Sequence, residues 1–408
     1  MSPSRVVFTA LLPFASGYFM SYLLRAVNAV VAPDLVQDAG LSPAELGLLT
    51  AAYLGAFALF QLPLGVLLDR YGPRKVQAAL LCIAAIGCLG FAVAPGFAGL
   101  FAARALIGLG FSAGLMASYK SSSTWVPIER RSLANAAIMA FGALGVIVAT
   151  EPTEFLVSLV GWRTAFVVFA MFILCAAASI FAIAPRADTA TSSTPFRRQF
   201  ADMMAIVRLP LFRRVAPLLG LTAGVQIGIQ TLWAGPWFRD VMGLAREDVA
   251  RHLLWMAVAF MIGILSVGII ADRLGRRGIG AIQVMLGFNV LYFIAQALIV
   301  FQVEALMVPA WLAVAAFGQV AILAFPWFAA RVGAEVAGRS NATINFTMFI
   351  AAFATQYAVG LIIGWFPATS TGYDPRAYSW AIGFFLVLQL LAFVWYLSGA
   401  EAKENRNA

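Results

Sequence analysis

The chain has 408 residues, 62% of them hydrophobic and only 11% charged, less than half the roughly 25% charged share of a soluble domain. Apolar runs of 18 or more residues recur along its length, which excludes a soluble globular fold, and their continuity excludes a β-barrel. The net charge of +9 is compatible with anionic partners, but its confinement between the apolar runs excludes a nucleic-acid surface.

The pattern predicts an all-α polytopic membrane protein with twelve spans, at roughly 6–31, 44–66, 76–95, 98–119, 134–159, 163–184, 215–237, 252–271, 279–302, 305–329, 342–365 and 379–398. The first run reads as a span and not as a cleavable signal peptide. It is long, carries Arg25 and is closed by no small-residue cleavage site. An even number of spans puts both termini on one side. With the termini, the middle loop and the loops after spans 2 and 8 assigned to that side, it holds 20 of the 27 Lys and Arg residues. The excess predicts that this side is cytoplasmic, in a multi-pass protein of the inner membrane with anionic lipid as its neighbour.

Span 1 carries the most informative residue. An arginine at mid-depth costs about 2.5–3.5 kcal/mol on insertion scales, so such residues face a cavity or a partner. Helical spacing puts Tyr18, Tyr22, Arg25 and Asn28 on one face, a guanidinium fork for a carboxylate flanked by neutral hydrogen-bonding groups. The alternative is a buried pair between Arg25 and an acid on another helix, Glu151 for instance.

After span 2 comes GVLLDRYGPRK, with Gly65, Asp69, Arg70, Gly72, Arg74 and Lys75. A looser copy, GIIADRLGRRG, follows span 8 with an offset of 203 residues and carries Gly268, Asp272, Arg273, Gly275, Arg276 and Arg277. No Walker pattern is present, so the turns read as mechanical. The Asp69 carboxylate is expected to cap a neighbouring helix and to pair with arginines across the boundary between the halves, latching one of two states.

Span 4 contains Arg104, for which one reading is a packing charge satisfied by backbone carbonyls. Lys120 at its end is expected to snorkel to the interface. In span 5, Glu151 and Glu154 flank Pro152, which removes a backbone donor. Glu151 is expected to be the deeper and the proton-coupling carboxylate, with Glu154 second. The alternative leaves both at the solvated edge. Cys82, Cys88 and Cys175 lie inside apolar runs and imply neither disulfide nor metal framework.

The middle connection divides the chain into an N-terminal six-helix bundle (1–184), a cytoplasmic linker (185–214) and a C-terminal six-helix bundle (215–408). Residues 187–195 are small and polar, and residues 196–214 suit an amphipathic helix on the membrane surface. Span 7 carries Gln226, Gln230 and Trp233 at i, i+4 and i+7, a stripe that faces either the central cavity or another helix. Gln319 in span 10 joins them, with Trp327 at the mouth, and Asn345 and Gln356 in span 11 rank below. His252 has Met256 one turn on. That pair reads as an edge residue or, as a minor alternative, a soft-metal site in a copper importer. No resident metal and no cofactor are expected.

These features together resemble the major facilitator superfamily. Gly65 to Lys75 resembles its signature loop, the second copy sits where the family has its C-half repeat, and LFAARALIGLG resembles its span 4 arginine motif through Arg104, Gly108 and Gly110. The resemblance implies two pseudo-symmetric six-helix bundles, and it implies a second reading of Arg104, a modulator of the pKa of a proton-carrying acid. Antiporters of the family carry a Gly-Pro motif in span 5, where this chain has GVIVATEPTEF. Residues 17–35 resemble span 1 of the organophosphate and organic-anion branch, which implies that Arg25 binds the substrate's anionic group. That branch's phosphate antiporters use a second arginine in span 7, which is lacking here, so a carboxylate or monovalent anion fits better. The nitrate porters' span 2 arginine is lacking too.

The reading is a secondary transporter of a small organic anion working by alternating access, with proton-coupled uptake. Tyr22, Arg25, Asn28, Gln226, Gln230, Trp233 and Gln319 bind substrate, Glu151, Arg104 and Glu154 couple the proton, and the glycine turns control the transition. The functional unit is expected to be a monomer. The alternative is a proton-driven exporter of drugs or metabolites. An enzyme is not expected, since no nucleophile–base constellation is present.

Overall fold

The computed structural model describes residues 6–186, 196–332, 337–369 and 372–398. Eleven described helices are long and apolar enough to cross a membrane. One of them, Pro43–Val93, runs for 51 residues. A straight helix of that length would measure about 77 Å, more than twice a bilayer's apolar thickness of about 30 Å. It is two spans joined at Gly72 (φ 77°, ψ 158°), a conformation that only glycine adopts without strain. Pro73 then opens span 3, where a missing N–H costs nothing. What reads in the sequence as a loop is therefore a one-residue hinge between spans 2 (43–71) and 3 (73–93). The same device joins spans 5 and 6 at Gly161 (φ 77°, ψ 156°).

The second glycine turn is not a structural copy of the first. Span 8, Arg246–Gly275, carries Asp272, Arg273 and Gly275 within its last turn, and the left-handed residue is Gly278 (φ 85°). We call the face with Gly72 and Gly278 the turn face and its opposite the far face. The surface helix covers Phe196–Arg208, shorter than predicted, because Leu209 is extended (ψ 133°) ahead of Pro210, which starts span 7. Residues 187–195 lie outside the described part.

Spans 1 to 6 and 7 to 12 form the two bundles. Five spans are interrupted midway. Span 1 breaks at Val27 between Leu12–Ala26 and Asn28–Ala39. Span 4 breaks between Phe97–Phe111 and Gly114–Trp125. Span 5 breaks at Ala149–Thr150, between Ile128–Val148 and 151–160. Span 7 contains a π-helical turn, Ile229–Trp233, and span 10 a 3₁₀ stretch, Gly318–Leu323. Irregular backbone survives at membrane depth only where protein or a water-filled cavity meets it. In span 5 the compensation is visible. Pro152 leaves the Val148 carbonyl without its helical donor, and the Thr153 hydroxyl donates to that carbonyl at 2.6 Å.

The bundles meet through span 1 on span 7, span 2 on span 11 and span 5 on span 8. On the turn face, Gly114–Trp125 of span 4 packs chiefly within its own bundle, and so does Ala324–Val332 of span 10. Contact between the bundles is thus carried by these three span pairs, and on the turn face the helix Phe196–Arg208 touches both Pro43–Val93 and span 11.

Candidate functional site

Between the bundles lies a cavity of about 80 Å³, with Tyr22, Arg25, Thr150, Gln226, Gln230 and Gln319 supplying its polar wall. The rest of the wall is apolar, including Val146, Leu253 and Phe260. The interruptions in spans 1, 5, 7 and 10 all fall at or beside this wall.

Arg25 occupies the last turn of Leu12–Ala26 and is 8% exposed. Its guanidinium sits 4.7 Å from the Tyr22 ring, 5.2 Å from Phe57 and 4.9 Å from Phe349 of the opposite bundle. Aromatic faces attract a cation but do not replace an anion. Among the described residues no carboxylate oxygen lies within 4.0 Å of Arg25, and its Nε has no hydrogen-bond partner. The pair with Glu151 does not form. Glu151 is exposed, whereas Glu154 is buried, the reverse of the expected depth. The break at Ala149–Thr150 resets the helical register, so a count from the start of span 5 misplaces both acids.

Glu154 takes part in the principal charge contact between the bundles. Arg246 of span 8 donates through Nε to Glu154 at 2.5 Å and through Nη1 and Nη2 to Asp34 at 2.7 Å each. Asp34 and Glu154 belong to one bundle and Arg246 to the other, so this network closes the far face. A second cavity, of about 160 Å³, lies beside it and shares Ala29, Val30 and Leu253 with the first.

Of the other expected substrate-binding residues, Tyr22, Gln226, Gln230 and Gln319 line the cavity, and Gln226 Nε2 donates to Gln230 Oε1. Asn28 and Trp233 do not line it. Asn28 is fully buried and donates to Thr50 Oγ1 of span 2 at 2.8 Å, because the break at Val27 separates its register from that of Arg25. Trp233 is 1% exposed and donates to the Gln356 carbonyl at 3.0 Å. The π-helical turn inserts one residue, about 100° of helical rotation, and turns the indole towards span 11. Gln356 in turn donates to Thr231 Oγ1 at 3.0 Å.

Arg104 is fully buried behind the cavity wall. Its Nη1 donates to the Leu24 carbonyl at 2.9 Å, with Tyr53 and Phe91 rings at 5.5 and 5.8 Å. No carboxylate neighbours it among the described residues, which matches the carbonyl-satisfied arrangement. Tyr53, which pattern reading missed, stands between Arg104 and Arg25 and donates to the Ser21 carbonyl at 3.0 Å.

On the turn face, Asp69 neither caps a helix nor reaches the other bundle among the described residues. It pairs with Lys120 of span 4 at 2.5 Å, and Lys120 also donates to the Leu68 carbonyl, so the lysine reaches along the turn face to the end of span 2. Arg74 donates to the Phe181 carbonyl of span 6, and Arg70 stacks on Tyr71. Gly65 is an interior helical residue. His252 engages the Asp248 carbonyl through Nδ1 at 2.7 Å and packs on Phe238 and Trp255. No group of three His, Cys, Asp or Glu side chains is arranged to hold a metal among the described residues. Sequence reasoning also missed Asp240, which accepts from Tyr378 Oη at 2.7 Å and from the Tyr373 amide at 3.1 Å, tying span 7 to the loop before span 12. In that loop, hydrogen bonds from Arg376 hold the Asp374 carboxyl below its usual range.

A sequence profile of the Major Facilitator Superfamily matches residues 14–355. The probable sulfoacetate transporter of Cupriavidus necator is 23% identical over 287 residues, covering 64% of this chain and 64% of that protein. The hexuronate transporter of Escherichia coli K12 is 29% identical over 152 residues, covering 37% of this chain and 35% of that protein. The chain thus matches less than two thirds of these relatives' lengths. Among solved structures, a bacterial homolog of the human lysosomal transporter Spinster, inward-facing and unoccupied, superposes with a TM-score of 0.77. The superposition covers 98% of this chain and 97% of that one at 17% identity, which shows the fold alone.

Proposed function

The chain belongs to the Major Facilitator Superfamily, and on that premise we propose that it is a secondary transporter carrying a small organic anion, foremost a carboxylate, by alternating access. One observation carries the reading: Arg25 borders the cavity between the bundles with no carboxylate partner among the described residues. A buried cation without a counter-ion is costly, and a bound anion offsets that cost. The amides of Gln230 and Gln319 border the same space and suit the polar remainder of a substrate. That the relatives named above are transporters of sulfoacetate and hexuronate supports an organic acid. The placement of 20 of 27 basic residues supports a cytoplasmic turn face, hence an inner-membrane protein with cytoplasmic termini.

For proton-coupled uptake the better-placed acid is Glu154 and not Glu151. Protonation of Glu154 weakens one arm of the Arg246 network, and Arg246 is what holds the far face shut. The predominantly apolar wall supports a second reading, an exporter of apolar cargo, which predicts no dependence on Arg25.

The test is uptake into proteoliposomes, with sulfoacetate, hexuronates and simple monocarboxylates as candidates. Loss of one charged hydrogen-bonding group is worth about 1.5–3 kcal/mol, so Arg25→Ala is expected to weaken anion binding by about ten- to a hundredfold. Uptake that survives Arg25→Ala with unaltered affinity places the anion elsewhere.

A further inference from the structure

We infer that Arg104 is a positioning residue for Arg25: it holds open the break in span 1 that presents the cavity guanidinium. The inference rests on Arg25 being the anion-binding group, as proposed above, but its first test needs no substrate.

Span 1 stops being a regular helix immediately after Arg25. Val27 N–H still donates to the Leu23 carbonyl at 2.9 Å, while Val30 and Val31 both donate to the Val27 carbonyl. Three bonds that would continue the ladder are missing, from Asn28, Ala29 and Val30 N–H to the Leu24, Arg25 and Ala26 carbonyls. An unpaired carbonyl at membrane depth is costly unless a cavity meets it; Arg25 and Ala26 line the cavity, whereas the Leu24 carbonyl, away from it, needs a protein donor to satisfy it. Arg104 Nη1 does so, at 2.9 Å. A cation at this point also faces the negative end of the Leu12–Ala26 helix dipole. The guanidinium therefore competes with Asn28 N–H for one acceptor, and the break persists because the guanidinium wins.

Why span 4 delivers this group follows from its own sequence. Gly108 lies one turn from Arg104 on the same face, and a Cβ there would sit 2.1 Å from the Tyr53 carbonyl oxygen. Spans 2 and 4 touch backbone to backbone, which lets Arg104 reach past span 2 to span 1. Tyr53 completes the bracket. Its hydroxyl donates to the Ser21 carbonyl at 3.0 Å, one turn before Leu24, and its ring lies 5.9 Å from Arg25 and 5.5 Å from Arg104. Both residues that fix span 1 around Arg25 thus act on its carbonyls. Arg104 itself keeps Nε and Nη2 unpaired and never reaches the cavity. This is an expensive arrangement for a group that only fills space.

The experiment is hydrogen–deuterium exchange of the full-length protein in detergent, read on peptides covering residues 24–31, with and without Arg104→Met. Removing the guanidinium frees the Leu24 carbonyl for Asn28 N–H, so the first missing rung of the ladder can form. Exchange in 24–31 is expected to slow by about fivefold, the equivalent of one net hydrogen bond of about 1 kcal/mol. A purely structural arginine predicts the opposite sign, since loosening the bundle speeds exchange throughout span 1. Arg104→Gln, whose amide is too short to reach Leu24 but keeps a polar atom in place, is the second variant should the methionine protein not fold, and the same slowing is expected. Unchanged or faster exchange in 24–31 in the folded variant overturns the inference. A transport arm distinguishes this failure from failure of the anion reading. If Arg25→Ala leaves sulfoacetate or hexuronate affinity untouched, the anion reading fails whatever the exchange shows. If Arg25→Ala abolishes affinity and Arg104→Met raises KM without lowering the maximal rate in proportion, both stand.

Discussion

Replacing Arg246 by glutamine should tilt the equilibrium between the two faces. In the observed state Arg246 is bound bidentately by Asp34 and through Nε by Glu154, with side-chain exposures of 39%, 20% and 8% respectively. An exposed ion pair contributes about 0–1 kcal/mol, while stranding one partner of a buried pair costs about 3–5 kcal/mol. Here the arginine is half in water and one acid is buried, so an intermediate figure of about 2 kcal/mol is appropriate. The penalty falls only on the far-closed state, because separation of the bundles releases both acids to solvent. A shift of about 2 kcal/mol changes the ratio of the two states by roughly thirtyfold. The assay is labelling of Val30→Cys, on the wall shared by both cavities, by a membrane-impermeant maleimide added from the far face. The background carries replacements of Cys82, Cys88 and Cys175. Arg246→Gln is expected to raise the labelling rate by at least tenfold. A rate equal to that of the parent would mean that packing alone closes the far face and that the ion network contributes nothing to it.

Three further outcomes follow from named contacts. Asp69→Asn breaks the half-exposed pair with Lys120, so turnover in proteoliposomes is expected to fall several-fold while substrate affinity stays constant; a changed affinity would refute a purely conformational role. Gly108→Val drives a side chain into the Tyr53 backbone and is expected to cost about 3 kcal/mol or more, seen as a fall in Tm; an unchanged Tm would mean that spans 2 and 4 do not pack this closely. Asn28→Ala removes the hydrogen bond to Thr50, and about 1–2 kcal/mol of stability should be lost with no effect on anion binding, since Asn28 lies outside the cavity; weakened binding with intact stability would restore it to the substrate site.

The bundle architecture was legible because membrane length and hydropathy are local properties of the chain. Arg25 was legible for the same reason: a charge in an apolar run is conspicuous wherever it points. What escaped depends on register and on distance. Asn28, Glu151 and Glu154 follow an interruption in their own helix and Trp233 ends one, and each interruption rotates the residues beyond its start. Regular helical spacing therefore placed Gln226 and Gln230 correctly and Trp233 wrongly. The Arg246 network joins residues 212 and 92 positions apart, and nothing local marks Asp34 or Arg246 as partners. A separation of 51 positions likewise hides the pairing of Lys120 with Asp69. Arg104 was ambiguous because a motif names the residue and not its acceptor. The acceptor exists only because span 1 breaks where it does.

The proposed role of Arg25 is to read the charge of the substrate. The most direct measurement compares binding of a carboxylate that the protein transports with binding of its uncharged primary amide, in the parent and in Arg25→Gln. The parent is expected to prefer the carboxylate by at least about tenfold, the worth of one charge-assisted hydrogen-bonded pair, and the preference is expected to vanish in Arg25→Gln. A preference for the carboxylate that persists undiminished in Arg25→Gln would contradict it.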